Sequence, residues 1–293
     1  MIESKTWSSR LFDILNYALL ALVAALCFFP MIHLVALSLS DRAASDGGFV
    51  TLWPLGFTTI SYDKVLAAGA FFRAFFISID RTVLGTTINM VLTVLTAYPL
   101  SRTSAEFKGR NIFMWIMLFA MLFYGGLIPW FLVIRSLGML DTLWALVIPN
   151  ALPIWNVIIL MNFFRAIPRE LEEAAVIDGA NHWQVLYHIY LPLSGAALAT
   201  LTLFAAVFHW NSWFDGLVLM THSSNYPLQT FLYTVVVNLD LTQVLRDPSD
   251  FQLFSDQSIR AAQVVVTTLP ILVIYPFLQR YFIAGIKLGA VKG

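Results

Sequence analysis

The string RAIPRELEEAAVIDGANHWQVLYHIYLPLSG, residues 165 to 195, lies between two long apolar runs and carries the most informative set of helix signals in the chain. It reads as two short helices joined by a turn. Pro168 suits a first helical position, and Glu170, Glu172 and Glu173 fall in the opening turns, where the helix dipole favours carboxylates. Asp178-Gly179 then stops the helix, glycine being the residue that most cheaply adopts a left-handed conformation. Asn181 with Gln184 three positions later fits a capping box for the second helix, which Pro192 is expected to end. Ala174 and Ala175 leave a smooth, close-approach surface beside the acids, suited to docking on another protein. Taken alone, the same signals also fit an amphipathic surface loop.

Outward from this string the chain turns apolar on both sides. Six runs reach the length of about 20 residues needed to cross a hydrocarbon core of roughly 30 Å. They cover roughly 13–40, 76–100, 111–133, 143–164, 195–220 and 261–284. Helices are expected, because a span in lipid must satisfy its own backbone hydrogen bonds. Composition agrees: 59% of the 293 residues are hydrophobic and only 12% charged, too thin a shell for a water-soluble domain of this size. The first run follows Lys5 and Arg10 as a secretory signal would, but it is too long and lacks a small-residue cleavage pattern, so it reads as a retained span. With the N-terminus inside, ten lysines and arginines fall on the cytoplasmic side and seven outside, which puts both termini in the cytoplasm. The polar segments 41–75 and 221–260 then face outward.

Several function classes drop out. A net charge of zero gives no electrostatic footprint for nucleic acid, and the single Cys27 cannot form an internal disulfide. His33, His182, His188, His209 and His222 are scattered, with no metal-ligand spacing and no nucleophile–base pattern, so neither a metal site nor an enzyme is expected. No G-x4-G-K-[ST] phosphate loop is present, so any ATP-driven work needs another subunit. An ion-gradient-driven secondary transporter stays open as the alternative, although the spans carry almost no charge at their centres and show no repeated halves.

Glu173-Ala174-Ala175, Gly179 and Ile189-x-Leu191-Pro192 match the pattern E-A-A-x3-G-x9-I-x-L-P, and by it the chain resembles the permeases of ABC importers. Further strings carry the resemblance over nearly the whole length and narrow it to the carbohydrate-uptake branch: LWPLGFT (52–58), LTAYPLSR (95–102), GGLIPWFLVIRSLGMLDT (125–142), HWNSWF (209–214) and TLPILVIYPFLQRYFIAGIKLGAVKG (268–293). Within that branch it looks most like permeases for oligosaccharides of complex polysaccharides, such as those of alginate importers. The resemblance implies an all-α integral membrane protein of about six transmembrane helices, with the type I importer permease fold and a cytoplasmic coupling helix. Residues 1–75 would form an N-terminal span with an outward-facing segment. Residues 76–293 would be the permease core, with the loop at 165–195 and a cytoplasmic tail at 284–293.

The same resemblance implies function and partners. The chain would be a permease subunit, not an enzyme, passing oligosaccharides of alginate or another polyuronate across the bacterial inner membrane. Its partners would be a second, different permease, two ATPase subunits that hold ATP and Mg, an external solute-binding protein and the lipid bilayer, with no cofactor bound by this chain. Glu172, Glu173, Ala174, Ala175, Asp178, Gly179, Ile189, Leu191 and Pro192 would couple to the ATPase, and Lys287, Gly289 and Lys292 of the tail would reach between the ATPase subunits.

The residues themselves suggest a substrate path. Trp210 and Trp213 lie three apart and would share a helical face, with Asn211 and Asp215 close by; Asn156 and Asn162 are further polar groups within a span. Aromatic faces with a few polar groups suit a sugar ring. An aromatic belt at the membrane surface would account equally well for the tryptophans, and interhelical packing for the asparagines. Arg81 is expected to pair locally with Asp80 or to anchor in the headgroups. Gly125, Gly126, Pro129, Pro270 and Pro276 mark hinges or tolerated kinks.

Overall fold

A computed structural model describes residues 7–67, 69–123, 125–237, 255–270 and 272–273. No strand occurs among them. The tail residues Lys287, Gly289 and Lys292, Pro276 and half of the sixth apolar run lie outside the described residues. The chain forms two compact units, one drawn from residues 1–71 and 234–269, the other from 72–233 and 270–293.

The first unit contains α1 (Trp7–Ser38), α2 (Arg42–Asp46) and α3 (Ile60–Ala67), with a further helix over 256–270. None of the side chains in the most apolar stretch of α1 is buried by the rest of the chain, so this helix turns its apolar surface to lipid or to another subunit. Polar contacts gather beyond its end: Ser38 Oγ meets the Tyr62 hydroxyl at 2.7 Å, and Ser61 Oγ donates to Ser258 Oγ at 3.2 Å.

The second unit begins with α4 (Gly69–Ser101), which like α1 is long and apolar enough to cross a membrane by itself. The other apolar runs are broken. α5 (Arg110–Leu122) and α6 (Leu127–Ser136) flank an extended Phe123 and a Gly126 at φ 91°, a backbone angle that glycine adopts without strain. Between α7 (Leu143–Val147) and α8 (Ile154–Arg165), Pro149 and Pro153 interrupt the ladder, and the helix pair bends by 47°.

The quoted loop folds as α9 (Arg169–Ile177), then α10 (His182–Val185), which runs through a wide π turn at Leu186–Tyr190 into α11 (Leu191–Leu193). Pro168 caps α9 one position earlier than the sequence suggested. Pro192 does not end the second helix; the chain turns by 82° at Ser194 into α12 (Gly195–Asn211). The π turn leaves the backbone before Pro192 without the tight ladder that proline would break. The expected single span 195–220 is also two helices, because Ser212 is extended and α13 (Phe214–Leu219) starts afresh. After a short loop, α14 (Leu228–Val237) closes the unit.

Two cores organise these helices. Val157, Leu160, Met161 and Phe164, at the 3–4 spacing of one helical face of α8, pack with Ala97 and Leu100 of α4, Leu186 and Tyr190 of the loop, and Ala197 and Leu201 of α12. The other core joins Ile134 of α6, Ala145 and Leu146 of α7, and Leu219 and Met220 around the end of α13.

Candidate functional site

At the first core the loop is bolted to α4. Arg102, one residue past α4, forms an ion pair with Glu172 of α9, and the Tyr190 hydroxyl donates to the other Glu172 oxygen at 2.8 Å. The guanidinium carbon also lies 4.4 Å from the Tyr98 ring centroid and 5.2 Å from that of Tyr190, within cation–π range. Tyr98 in turn donates to the His182 carbonyl at 3.1 Å. Burial, reinforced by the bond to Glu172, pushes the Tyr190 phenol above its ordinary value, so it stays a donor at neutral pH. Glu172 therefore faces inward, with only 16% of its side chain exposed.

The rest of the loop faces out. Glu173, Ala174, Asp178, Gly179 and Pro192 are exposed, whereas Ala175, Ile189 and Leu191 pack on the α8 core. Gly179 has φ 86°, and its N–H closes on the Val176 carbonyl at 3.0 Å, the left-handed stop expected there. The Asn181–Gln184 capping box forms in both directions, at 2.8 and 2.9 Å. Sequence reasoning missed the apolar part of this surface: Ile177 is 85% exposed, with Val176, Trp183 and Tyr187 also uncovered. The signal was present, since Ile177 directly precedes the Asp-Gly stop and lies off the packed face of α9. Beside α9, a cavity of about 750 Å³ is lined by Arg102, Arg110, Arg165, Glu106 and Glu173 among others.

The second site lies at the break after α12. A cavity of about 500 Å³ is lined by Asn211, Ser212, Trp213 and Asp215, joined by Trp130 and Asn150, which the sequence did not single out. Trp210 does not share it. The helix ends at Asn211, so the three-residue spacing places no common face; Trp210 is buried edge-on to Phe75, while Trp213 stacks on Tyr233 with centroids 4.2 Å apart. Asn156 is buried in the first turn of α8, away from this cavity, and Asn162 is exposed on the same helix.

Arg81 differs most from expectation. Successive residues on a helix point to different sides, so Asp80 is exposed whereas Arg81 is fully buried. Its guanidinium forks onto both carboxylate oxygens of Asp215 and donates to the Ser212 carbonyl at 3.2 Å. A desolvated guanidinium needs such a counter-charge, which no headgroup could supply at this depth in the protein. One turn further along α4, Gly85 admits the buried His209 ring: a Cβ there would sit 2.5 Å from the imidazole. The His209 Nε2 meets Asn89 Oδ1 at 3.0 Å, and Asn89 Nδ2 donates to the carbonyls of Asn150 and Ala151 at 2.7 and 2.9 Å. The cavity wall is thus tied to α4 by two buried polar contacts from different helices.

Residues 4–288 match the family described as binding-protein-dependent transport system inner membrane component. Protein LplC of Bacillus subtilis (strain 168) is 41% identical over 288 residues, covering 98% of this chain and 97% of that protein. The polygalacturonan/rhamnogalacturonan transport system permease protein YtcP of the same organism is 39% identical over 286 residues, covering 97% and 99%. A chain in the crystal structure of a bacterial ABC transporter involved in the import of the acidic polysaccharide alginate superposes with a TM-score of 0.88 at 33% identity, covering 95% of this chain and 99% of that one.

Proposed function

The chain belongs to the family of inner membrane components of binding-protein-dependent transport systems, with the type I ABC permease fold, and on that premise we propose that it imports oligosaccharides of an acidic polysaccharide, alginate or another polyuronate. It is a sugar-importer permease by family. The finer substrate assignment is supported by two relatives, a polygalacturonan/rhamnogalacturonan transport system permease and a transporter involved in the import of alginate. An ion-gradient-driven mechanism has no support beside this family match.

In this reading both termini lie in the cytoplasm and the loop 165–195 docks on an ATPase subunit. Two such subunits bind and hydrolyse ATP with Mg, a second and different permease completes the pathway, and an external binding protein delivers the sugar. Exposed Glu173, Ala174, Asp178, Gly179, Val176 and Ile177 form the docking face. The carrying observation is the Glu172–Arg102–Tyr190 knot. It ties α9 to the end of α4 and to the turn that leads into α12, so a push on the docking face moves both helices. Those two helices also carry Arg81 and, at the end of α12, Asn211 of the cavity wall. No nucleotide chemistry is required of this chain.

The test replaces Gly179 by Val and Glu173 by Ala in the assembled transporter. Both variants are expected to insert and pair with the other permease, yet to lose ATPase subunits or the stimulation of hydrolysis by loaded binding protein. Normal assembly, stimulated hydrolysis and uptake in both would overturn the coupling assignment. Single cysteines at positions 105 and 182 on a Cys27→Ala background should label only from the cytoplasm, and one at 225 only from outside.

A further inference from the structure

The break between α12 and α13 has a defined chemical substitution at its centre. In a continuous helix the Ser212 carbonyl would accept the Gly216 N–H. Here that bond is missing and its two halves are taken up separately. Arg81 Nη1 donates to the Ser212 carbonyl at 3.2 Å, and Asp215 Oδ1 accepts the Gly216 N–H at 2.9 Å, while the two side chains are paired with each other. The Trp213 carbonyl receives a side-chain donor as well, Thr230 Oγ1 at 2.8 Å. Gly216 is required by the same contact, because a Cβ there would overlap the Thr230 hydroxyl. Irregular backbone at membrane depth survives only where protein groups or a water-filled cavity satisfy it, and at this break protein groups do so beside a cavity.

We propose that Arg81 is a positioning residue for sugar passage: by replacing the lost 212–216 helical bond it keeps the break open and holds Asn211 and Trp213 toward the cavity. The inference rests on the reading of that cavity as part of the sugar path. A second consequence is electrical. The one carboxylate on the cavity wall, Asp215, is neutralised from behind by Arg81, so the wall offers aromatic faces and the amides of Asn150 and Asn211 without a net charge. Such a wall suits the uncharged ring faces and hydroxyls of a uronate oligosaccharide, because an unpaired carboxylate there would repel its acid groups.

The experiment uses the complete transporter in proteoliposomes, with an oligogalacturonate or oligoalginate mixture as the probe. The double variant Arg81→Met/Asp215→Leu removes both charges together, an exchange that buried pairs commonly tolerate. It should assemble and keep binding-protein-stimulated hydrolysis within about twofold, yet lose uptake by roughly tenfold. A cysteine replacing Asn211, on a Cys27→Ala background, should also lose reactivity toward a water-soluble maleimide in the double variant, since the helix is then free to close. Unchanged uptake and unchanged labelling would overturn the proposal. If the double variant does not assemble, Arg81→Lys decides. Its single ammonium cannot reproduce the fork to both Asp215 oxygens together with the Ser212 carbonyl, so reduced uptake with altered labelling is expected and normal values overturn the assignment. The cavity reading is tested apart from Arg81: oligosaccharide should protect the Asn211→Cys thiol in the otherwise unaltered protein, and absence of protection overturns that reading alone.

Discussion

Two arginine–carboxylate pairs hang on one helix, and they do different work. Arg81 lies in the N-terminal half of α4 and Arg102 just past its C-terminal end, 21 positions later, a rise of roughly 30 Å that equals the thickness of a hydrocarbon core. The Arg81–Asp215 pair is sealed, with side-chain exposures of 0% and 12%, and it mends a broken helix. By contrast, the Arg102–Glu172 pair has exposures of 11% and 16%, sits among the rings of Tyr98 and Tyr190, and bridges two separate helices at a cavity mouth. The difference teaches how one rigid rod can serve both ends of a transporter. The sealed pair preserves a local shape, whereas in the proposed mechanism the open pair would transmit a displacement. It also shows where each is vulnerable: removing Asp215 strands the fully buried Arg81, whereas both members of the Arg102–Glu172 pair keep some exposure.

The comparison can be broken experimentally. Asp215→Ala alone, which leaves the fully buried Arg81 without its counter-charge, should cost about 3–5 kcal/mol and should appear as loss of folded protein in detergent unfolding measurements. If Arg102→Ala proved equally damaging to folding, the contrast between sealed and open pairs would fail. The expectation for Arg102→Ala or Glu172→Gln is about 1.5–3 kcal/mol, with assembly preserved and ATP hydrolysis uncoupled from uptake. Gly85→Ala sharpens the account of the rod itself. Its new methyl would push the His209 ring off Asn89, at a cost of about 1–3 kcal/mol typical of overpacking, measurable as a lowered unfolding midpoint with the ATPase interface intact.

The smallest effect is expected at a surface clasp that belongs to neither pair. Asp141, at φ 63°, accepts the Thr221 N–H at 3.1 Å and bonds the His222 ring. The His222 bond, chiefly, holds its carboxyl below the ordinary carboxylate value. A depressed carboxylate stabilises the fold above its unfolded pKa, and that contribution fades as pH falls through the folded one. Hydrogen exchange at residues 219–226 should therefore be slow at neutral pH and quicken only below the usual carboxylate range. Asp141→Asn should show fast exchange at all pH values.

The sequence was a good guide wherever a property depends on residues close together in the chain. The six apolar runs, the two loop helices, the Gly179 stop and the Asn181–Gln184 box follow from local chemistry, and each described one returns as helix, turn or cap in the structure. Several helix ends were also legible in principle, since Pro149, Pro153 and Gly126 announce the breaks in the third and fourth runs. The break at Ser212–Trp213 carries no proline or glycine at its centre and was read through as one helix. That misreading put Trp210 beside Trp213 and hid Trp130 and Asn150.

Local chemistry thus determined that this chain is built of apolar helices around a polar two-helix loop, and the pattern of a few residues in that loop pointed to its family. Tertiary structure alone decided which acids look outward, since Glu172 and Glu173 are neighbours in sequence yet one is clasped by Arg102 and the other is bare. It alone decided that Arg81 answers to Asp215, 134 residues away, and not to Asp80 beside it. The physical reason is the same in both cases. Helical periodicity assigns a side chain to a direction, but the energy of a buried charge depends on what another segment places there, and no local pattern records that partner.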